Sequence, residues 1–221
     1  MISILIPLYN GIEFIGDSVY SVMNQTFTDW ELIIAVNGHP ENSVVYSIAK
    51  QFETPDKKIR VYDFHTIEGK ANTLNEMLNY CNYEYVGILD VDDIWLPEKL
   101  EKQMMYLKGF RYDVVGSRCV YFGDKENIIP AIPVGDISSV DFRRVNPIIN
   151  SSSIMRKCLC HWVENGLEDY DLWLRLRYKR ERTRFFNFKE VLVKHRIHKK
   201  SAFNSKGNHM KVGDLLKEYQ T

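Results

Sequence analysis

An apolar run that ends on three carboxylates is the feature that most limits what this chain can fold into. Residues 85–89 are apolar or small, and Asp90, Asp92 and Asp93 follow before the chain reaches Pro97. A strand buried on both faces of a parallel sheet has this kind of sequence, and open α/β sheets bind ligands beyond the carboxyl ends of such strands. The pattern therefore predicts three carboxylates that project into a ligand-binding crevice.

Such a cluster of carboxylates needs a cation, because like charges at short spacing repel one another. Oxygen ligands suit a hard divalent ion, so the sequence predicts a Mg²⁺ or Mn²⁺ site whose metal in turn binds phosphates. The alternative is that Asp92 or Asp93 caps a helix beginning near Pro97, since Asp before a first-turn proline is a common helix start. Capping does not account for Asp90, which lies too far upstream.

The first half of the chain alternates between strand-like and helix-like segments. Because parallel strands joined by helices form right-handed crossovers, this order predicts an α/β fold with a mainly parallel sheet flanked by helices on both faces. Strands are predicted at residues 2–6, 31–36, 59–62, 85–89 and 113–116, and helices at about 12–24, 43–52, 70–80 and 97–107.

The alternation stops after Gly116. No linker rich in Gly, Ser or Pro separates the two halves, so we expect one domain over residues 1–221. The second half is predicted to contain strands at residues 120–122 and 185–193, an apolar segment at 148–155, and helices at 170–178 and about 210–219.

Charge and cysteine content narrow the class of protein. Lys plus Arg and Asp plus Glu each number 29, so the net charge is zero and general nucleic-acid binding is not expected. Residues 175–206 are strongly basic, which indicates contact with phosphates, an acidic acceptor or anionic lipid head groups, or else a solvated surface. No apolar run approaches the roughly 20 residues of a bilayer span. We therefore expect a cytoplasmic protein whose contact with a membrane, if any, is peripheral and made through the basic segment.

The four cysteines lack the spacing of a disulfide framework and are predicted to be reduced thiols. Cys158, Cys160 and His161 do not predict a zinc site, because no second pair of ligands stands at the required spacing.

Four motifs in order resemble family 2 glycosyltransferases of the GT-A fold. Residues 7–11, with Glu13 shortly after, resemble that family's nucleotide-binding loop, and residues 21–34 resemble its first helix and second strand. Residues 89–100 resemble its DXD region, and residues 168–175 its acidic acceptor-side motif. The resemblance implies a Rossmann-like GT-A fold in which residues 1–117 bind a nucleotide sugar and residues 118–221 form a small acceptor-side subregion.

The resemblance also implies an activity: transfer of a sugar from a nucleotide-diphosphate sugar, usually a UDP-sugar, to a hydroxyl of a glycan or lipid-linked acceptor. Such enzymes invert the anomeric centre in one displacement. Asp169, or else Glu168, is implied as the general base, although both could simply stabilise the N-terminus of the helix they begin. The implied metal ligands are Asp92, Asp93 and His198, and the implied donor contacts are Pro7, Tyr9, Asn10, Glu13, Asn37, Lys70, Asn75, Asp90, Val91, Asp92 and Arg196.

The chain departs from the family pattern at two places. Val36 and Asn37 stand where paired acidic residues are common, which leaves the preference for uridine open. Residues 69–75 lack the arginine that family members often have before the final Asn, and Lys70 is expected to supply the phosphate contact instead. Residues 204, 205, 207 and 208 are expected to form a mobile stretch that becomes ordered when the donor binds.

Other classes of protein remain as alternatives. A sugar nucleotidyltransferase is disfavoured because residues 7–11 are not a Gly-rich triphosphate loop. A glycoside hydrolase would need neither metal nor nucleotide. A non-catalytic nucleotide-sugar-binding protein is kept because of Val36 and Asn37, and homodimer formation is left open.

Overall fold

The computed structural model describes residues 1–109, 112–180, 182–199 and 208–219, with the backbone alone for residues 208–210. Most of the stretch expected to be mobile, residues 204–207, lies outside the described residues. The strands are β1 (Ile2–Leu8), β2 (Trp30–Asn37), β3 (Ile59–Phe64), β4 (Tyr85–Ile88), β5 (Ile94–Trp95), β6 (Val114–Gly123), β7 (Gly135–Asp136), β8 (Ile154–Arg156) and β9 (Phe185–Ile197). The helices are α1 (Ile15–Met23), α2 (Val44–Lys50), α3 (Lys70–Met77), α4 (Lys99–Gly109), α5 (Glu168–Tyr178) and α6 (Asn208–Lys217).

One sheet contains strands from both halves of the chain. Its order is β3-β2-β1-β4-β8-β6-β9-β5, and β7 pairs with β9. The neighbours among β1 to β4 run parallel, as do β6 and β9. The short strand β8 runs antiparallel to both β4 and β6, and so joins the two parallel groups. The predicted α/β architecture with a mainly parallel sheet is confirmed.

The side-chain alternation of the buried strands produces two hydrophobic layers. In β2, Ile34 and Val36 face the layer that packs against α1, α2 and α4. Ile33 and Ala35 face the opposite layer, which packs against α3, α5 and α6. Helices therefore cover both faces of the sheet and leave the carboxyl ends of β1, β2 and β4 as the edge at which α/β sheets generally bind ligands.

Two predictions about the chain path are wrong. The strands predicted at residues 113–116 and 120–122 form one strand, β6, whose register with β9 shifts on either side of Arg118. Polar residues at this irregularity interrupt the apolar pattern without ending the strand. The helix predicted from Pro97 begins at Lys99, and β5 intervenes after Asp93, so neither Asp92 nor Asp93 caps α4.

The cysteines among the described residues are free thiols; Cys81, Cys119 and Cys160 are buried and Cys158 is exposed. Within the described ranges, no helix has the length and apolarity needed to cross a bilayer.

We predict that Val86→Ala destabilises the protein, because Val86 is fully buried in β4 between β1 and β8. The loss of two buried methyl groups should lower the free energy of unfolding by about 2 kcal/mol in a urea titration. Val44→Ala removes the same atoms from a residue that is 74% exposed. This control substitution should change the free energy of unfolding by less than about 0.5 kcal/mol. Equal effects of the two substitutions would contradict the packing described above.

Candidate active site

Asp90, directly beyond β4, is held from three sides. Lys70 Nζ lies 2.6 Å from its Oδ1, Asn150 Nδ2 donates to both carboxylate oxygens, and Ser151 Oγ lies 3.1 Å from Oδ2. Burial alone would raise the pKa of Asp90, yet the Lys70 cation and these hydrogen bonds hold it below the usual range. Asp90 is therefore an anion with a fixed orientation at the carboxyl edge of the sheet. The sequence analysis did not identify Asn150 and Ser151 as site residues. Their position in a run of four polar residues inside an apolar segment could have indicated a buried polar contact.

Lys70 connects this edge to the C-terminal half of the chain. It is the first residue of α3, and its Nζ lies 3.9 Å from Glu168 Oε1 at the first residue of α5. Burial opposes its charge, but Asp90 and Glu168 together raise the pKa of Lys70 above its usual value. The structure therefore brings Lys70, Asp90 and Glu168 together.

Asp169 follows Glu168 in the first turn of α5 and is partly buried. Burial raises the pKa of Asp169, the Glu168 charge raises it further, and the Lys70 charge opposes the shift. A carboxylate with a raised pKa is a better proton acceptor than an ordinary Asp. The arrangement thus has a carboxyl group of raised pKa in the same turn as Glu168, which lies beside the Lys70 cation.

Asp92 and His198 form a second pair at the same edge. Asp92 Oδ2 lies 3.0 Å from His198 Nε2, and both side chains are about one-fifth exposed. Burial and the charges of Asp93 and Asp90 raise the pKa of Asp92, and the hydrogen bond with His198 opposes this shift.

The residues at this edge fit a divalent ion bound jointly with a substrate. Across the described residues, no group of three or more His, Cys, Asp or Glu side chains is arranged to hold a metal on its own. Asp92 and His198 nevertheless supply one oxygen and one nitrogen donor. Mg²⁺ and similar ions commonly take one or two protein ligands and complete their coordination with phosphates and water. The two residues could therefore hold a metal that also contacts a diphosphate.

Asp93 does not project into the crevice, contrary to the sequence-based expectation. Its side chain is fully buried, its Oδ2 lies 2.9 Å from His195 Nδ1, and its Oδ1 accepts the Arg196 backbone N–H at 2.9 Å. Both oxygens are thus used inside the protein, and Asp93 ties the acidic turn to β9 rather than offering a ligand. His195 was not singled out in the sequence; the acid–imidazole pairing joins residues 102 positions apart.

Arg196 also has a different environment from the one expected of a diphosphate contact. Its guanidinium lies over the rings of Phe14 and Phe122, Nε donates to the Asp92 carbonyl, and Nη2 lies 2.7 Å from Asp17 Oδ2. In this structure Arg196 braces the acidic turn against α1. A cation held between two rings and an acid is less available to a ligand than an exposed one.

The residues expected to contact the nucleotide lie at the ends of β1 and β2. Pro7 is buried in β1, whereas Tyr9, Asn10 and Glu13 are exposed beyond it. Asn37 ends β2 and is 3% exposed, and its amide makes no hydrogen bond to a described residue. The Tyr9 and His39 rings lie 5.3 Å apart beside Gly38, and Val91 packs against Gly11. The edge therefore has an open aromatic surface next to an unpaired amide.

Asn75 does not face this edge, so its expected contact with the donor is corrected. Its amide Nδ2 donates to the Trp162 carbonyl at 2.8 Å, and its Oδ1 accepts the Trp162 backbone N–H at 2.9 Å. The same loop is fixed again by Glu164, whose Oε2 accepts the Ala71 N–H at the start of α3. A Cβ built on Gly69 would overlap that carboxylate. These contacts position the loop that leads into Glu168 and Asp169.

The mainly parallel α/β sheet, with Lys70, Asp90, Asp92 and Glu168 gathered at its carboxyl edge, is the setting in which such folds bind their ligands. The sequence model of glycosyl transferase family 2 matches residues 3–206, and the chain belongs to this family. The family resemblance and the enzyme class expected from the motifs are thereby confirmed.

The chain is similar to curated enzymes from Escherichia coli. It is 29% identical over 217 residues to the O-antigen biosynthesis glycosyltransferase WbnJ, covering 93% of this chain and 83% of WbnJ. It is 27% identical over 233 residues to the UDP-Glc:alpha-D-GlcNAc-diphosphoundecaprenol beta-1,3-glucosyltransferase WfgD, covering 98% of this chain and 87% of WfgD.

Solved structures share the fold at low sequence identity. Residues 1–349 of S. aureus TarS in complex with UDP-GlcNAc superpose with a TM-score of 0.76 at 14% identity, over 98% of this chain and 64% of that one. The Pyrobaculum calidifontis mannosyltransferase PcManGT, in complex with GDP-Man and Mn²⁺, gives 0.66 at 16% identity, over 91% and 58%. The chain therefore spans less than two thirds of either solved chain, and the likeness confirms the GT-A fold.

We predict that stability falls as the pH rises through the alkaline range, because of His195. Burial opposes the imidazolium, but the Asp93 hydrogen bond and the surrounding carboxylates raise the pKa of His195 to about 9. The folded state then binds a proton that the unfolded state releases near pH 6.5. The stabilisation is complete below pH 6.5 and is lost by about pH 9, with an upper limit of about 3 kcal/mol.

Urea titrations between pH 6 and 10 would measure this loss in the wild type and in His195→Gln. The variant lacks the titrating group, so its free energy of unfolding should depend less on pH across this window. A pH dependence that is unchanged by the substitution would contradict the assignment.

Proposed function

We propose that this protein transfers a sugar from a nucleotide-diphosphate sugar to a hydroxyl group of a glycan or lipid-linked acceptor. The supporting observation is the meeting of the first turn of α5 with the carboxyl edge of β4. Lys70 lies 2.6 Å from Asp90 and 3.9 Å from Glu168, which sits beside Asp169. A donor-side anion and an acceptor-side base are therefore neighbours across one cleft.

Asp169 is our choice for the general base. An acceptor hydroxyl is a poor nucleophile until its proton is removed, and the raised pKa of Asp169 suits it to accept that proton. Glu168 is the second choice, since its carboxylate is partly engaged with the Lys70 cation. A base on the acceptor side favours attack opposite to the leaving diphosphate, which corresponds to single displacement with inversion.

The leaving diphosphate acquires charge as the glycosidic bond breaks. Lys70 supplies a permanent cation at the cleft, although in this structure it is shared with Asp90. Asp92 and His198 would hold Mg²⁺ or Mn²⁺, which when bound supplies Lewis-acid stabilisation of the departing phosphates. His195 and Asp93 keep the turn that carries Asp92 in place, and Arg196 braces it from the other side.

The nucleobase is assigned to the ends of β1 and β2. The exposed Tyr9 ring beside His39 offers a stacking surface, and the nearly buried Asn37 amide makes no hydrogen bond to a described residue. An amide both donates and accepts, so it can pair with the edge of a pyrimidine ring. UDP-sugars are the preferred donors in this proposal, in keeping with the UDP-GlcNAc complex of TarS and with the name of WfgD.

We expect Asp169→Asn to lower the transfer rate by at least about 100-fold, because the amide cannot accept the hydroxyl proton. The dissociation constant of UDP, measured by calorimetry, should stay within about twofold of the wild type. Asp214→Asn, which removes an exposed carboxylate on α6, is the matched control and should retain activity. Turnover that survives in Asp169→Asn would refute the assignment of the base.

We expect the metal and the nucleotide to bind with positive coupling. In the wild type, Mn²⁺ should tighten UDP binding by about tenfold or more, because the ion relieves repulsion among Asp90, Asp92 and Asp93 and binds the diphosphate. Asp92→Asn should abolish this gain, while Asp214→Asn should keep it. Equal UDP affinity with and without Mn²⁺ in the wild type would defeat the metal part of the proposal.

A further inference from the structure

Lys99, the first residue of α4, is a fully buried lysine. Across the described residues no carboxylate balances its charge, and burial lowers the pKa of Lys99 well below its usual value. Burying an ammonium group without a counter-ion is costly, and a cation in the first turn of a helix also opposes the helix dipole. A methionine would fill similar space without either cost, so packing alone does not account for a lysine at this position.

The Lys99 side chain contacts two other buried side chains, Trp95 and Gln103. Its Nζ lies 2.6 Å from Gln103 Oε1 and 3.9 Å from the centre of the Trp95 ring. The indole in turn packs on β4, where a Cβ built on Gly87 would lie only 3.1 Å from it. The ammonium group is therefore directed into the core, toward two side chains of fixed position.

Trp95 and Gln103 both bind residues 150–153, an Asn-Ser-Ser-Ser run that we call the serine turn. Trp95 Nε1 donates to the Ser151 carbonyl at 2.6 Å, and Gln103 Nε2 donates to the Ser152 carbonyl at 2.9 Å. Consecutive carbonyls of one turn are thus each bound by a side chain that the buried lysine contacts.

The Gln103 amide has one orientation that satisfies all of these neighbours. Its Nε2 lies within hydrogen-bond distance of the Ser152 and Val115 carbonyls, which can only accept, so the NH₂ group must face them. The amide oxygen then faces Lys99, which donates to it. A side chain without a donor at position 99 would leave this oxygen buried and unpaired, and the amide would lose its fixed orientation.

The other side of the serine turn binds Asp90. Ser151 Oγ accepts the Asp90 backbone N–H and lies 3.1 Å from Asp90 Oδ2, and Asn150 Nδ2 donates to both carboxylate oxygens. Ser152 Oγ accepts the Ser117 N–H at 3.1 Å. Direct contacts therefore run from the lysine of α4, through the indole and the amide, to the carboxylate at the end of β4.

We propose that Lys99 and Gln103 are positioning residues, which fix the orientation of Asp90 through the serine turn. Lys99 orients the Gln103 amide and packs on the Trp95 ring, these two side chains hold the turn, and the turn holds the carboxylate. Groups that contact a ligand need such support from behind, because their geometry must be set before the ligand arrives. This inference rests on the proposed function, in which Asp90 is the donor-side anion.

Hydrogen exchange of single amides, followed by NMR on the full chain, tests this link without any ligand. Lys99→Met keeps most of the side-chain volume and removes the donor. The Asp90 and Ser117 N–H groups, which we call the reporter amides, donate to hydroxyls of the serine turn and should exchange at least about tenfold faster. The Leu89 N–H donates to the Leu5 carbonyl in the sheet and should exchange at its wild-type rate.

The affinity for UDP in the presence of Mn²⁺, measured by calorimetry, tests whether the lysine acts through Asp90. Asp90→Asn should weaken UDP binding by about tenfold, and Lys99→Met by about threefold or more. In the Asp90→Asn background, Lys99→Met should have no further effect, whereas a general packing defect would weaken binding in both backgrounds. Lys102→Met removes a partly exposed lysine of the same helix and should match the wild type in both experiments.

Unchanged exchange of the reporter amides in Lys99→Met would overturn the proposal, as would an equal acceleration at Leu89 or a loss of UDP affinity that adds to that of Asp90→Asn. Gln103→Glu is the second variant if Lys99→Met does not fold. Its carboxylate keeps the contact with the lysine but cannot donate to the serine turn, so the reporter amides should again exchange faster. If UDP does not bind, or binds equally well to Asp90→Asn, the proposed donor contact is rejected, and the exchange rates alone decide the role of Lys99.

Discussion

The buried carboxylate of Asp93 is the interaction on which the active-site edge depends. It joins the acidic turn after β4 to β9, a strand from the far half of the chain, through His195 and the Arg196 backbone. Strand β9 also carries His198 just beyond its end, so one anchor sets the distance between the turn and its imidazole partner. Without it, the repulsion among three neighbouring acids would favour a different path for the turn.

The negative charges of Asp90, Asp92 and Asp93 are balanced by different partners, so the three side chains have different environments. Asp90 has a full cation and two further donor groups, Asn150 and Ser151, so it stays ionised and fixed. Asp93 is neutralised internally by an imidazolium whose pKa it raises. Among the described residues, Asp92 pairs with His198 and has a raised pKa, so an incoming cation would stabilise its charged form. Three aspartates within four positions therefore differ in charge compensation and hydrogen bonding through their surroundings alone.

Much of this architecture could be predicted from the sequence because it rests on local periodicity. The runs that became β1 to β4 and the helices between them have clear strand or helix patterns, and the end of β4 located Asp90 and Asp92. The predictions that were wrong concerned residues whose environment is set by contacts distant in the sequence. Side-chain alternation could not tell which of the clustered acids turns inward, since a turn has no fixed period; Asp93 was therefore placed wrongly.

The same limit explains the other corrections. The Asn75 amide is hydrogen-bonded to the Trp162 backbone, 87 positions away. The Arg196 guanidinium contacts the Phe14 ring and pairs with Asp17, both in the first helical region. Neither partner is implied by local pattern. The polar break at Ser117 and Arg118 was taken as the end of a strand, whereas pairing with β9 carries the strand through. Polar residues inside a strand can be recognised as part of it only when the neighbouring strand is known.

The contact between Gly69 and Glu164 has a consequence for how this sequence can diverge. Glu164 reaches the first turn of α3 only because position 69 has no side chain, and position 69 adopts a positive φ that other residues rarely take. Substitutions at positions 69 and 164, which are 95 residues apart, are therefore coupled. A bulkier residue at the first would demand a shorter one at the second, and the loop ahead of Asp169 would lose its hold on the helix that carries Lys70.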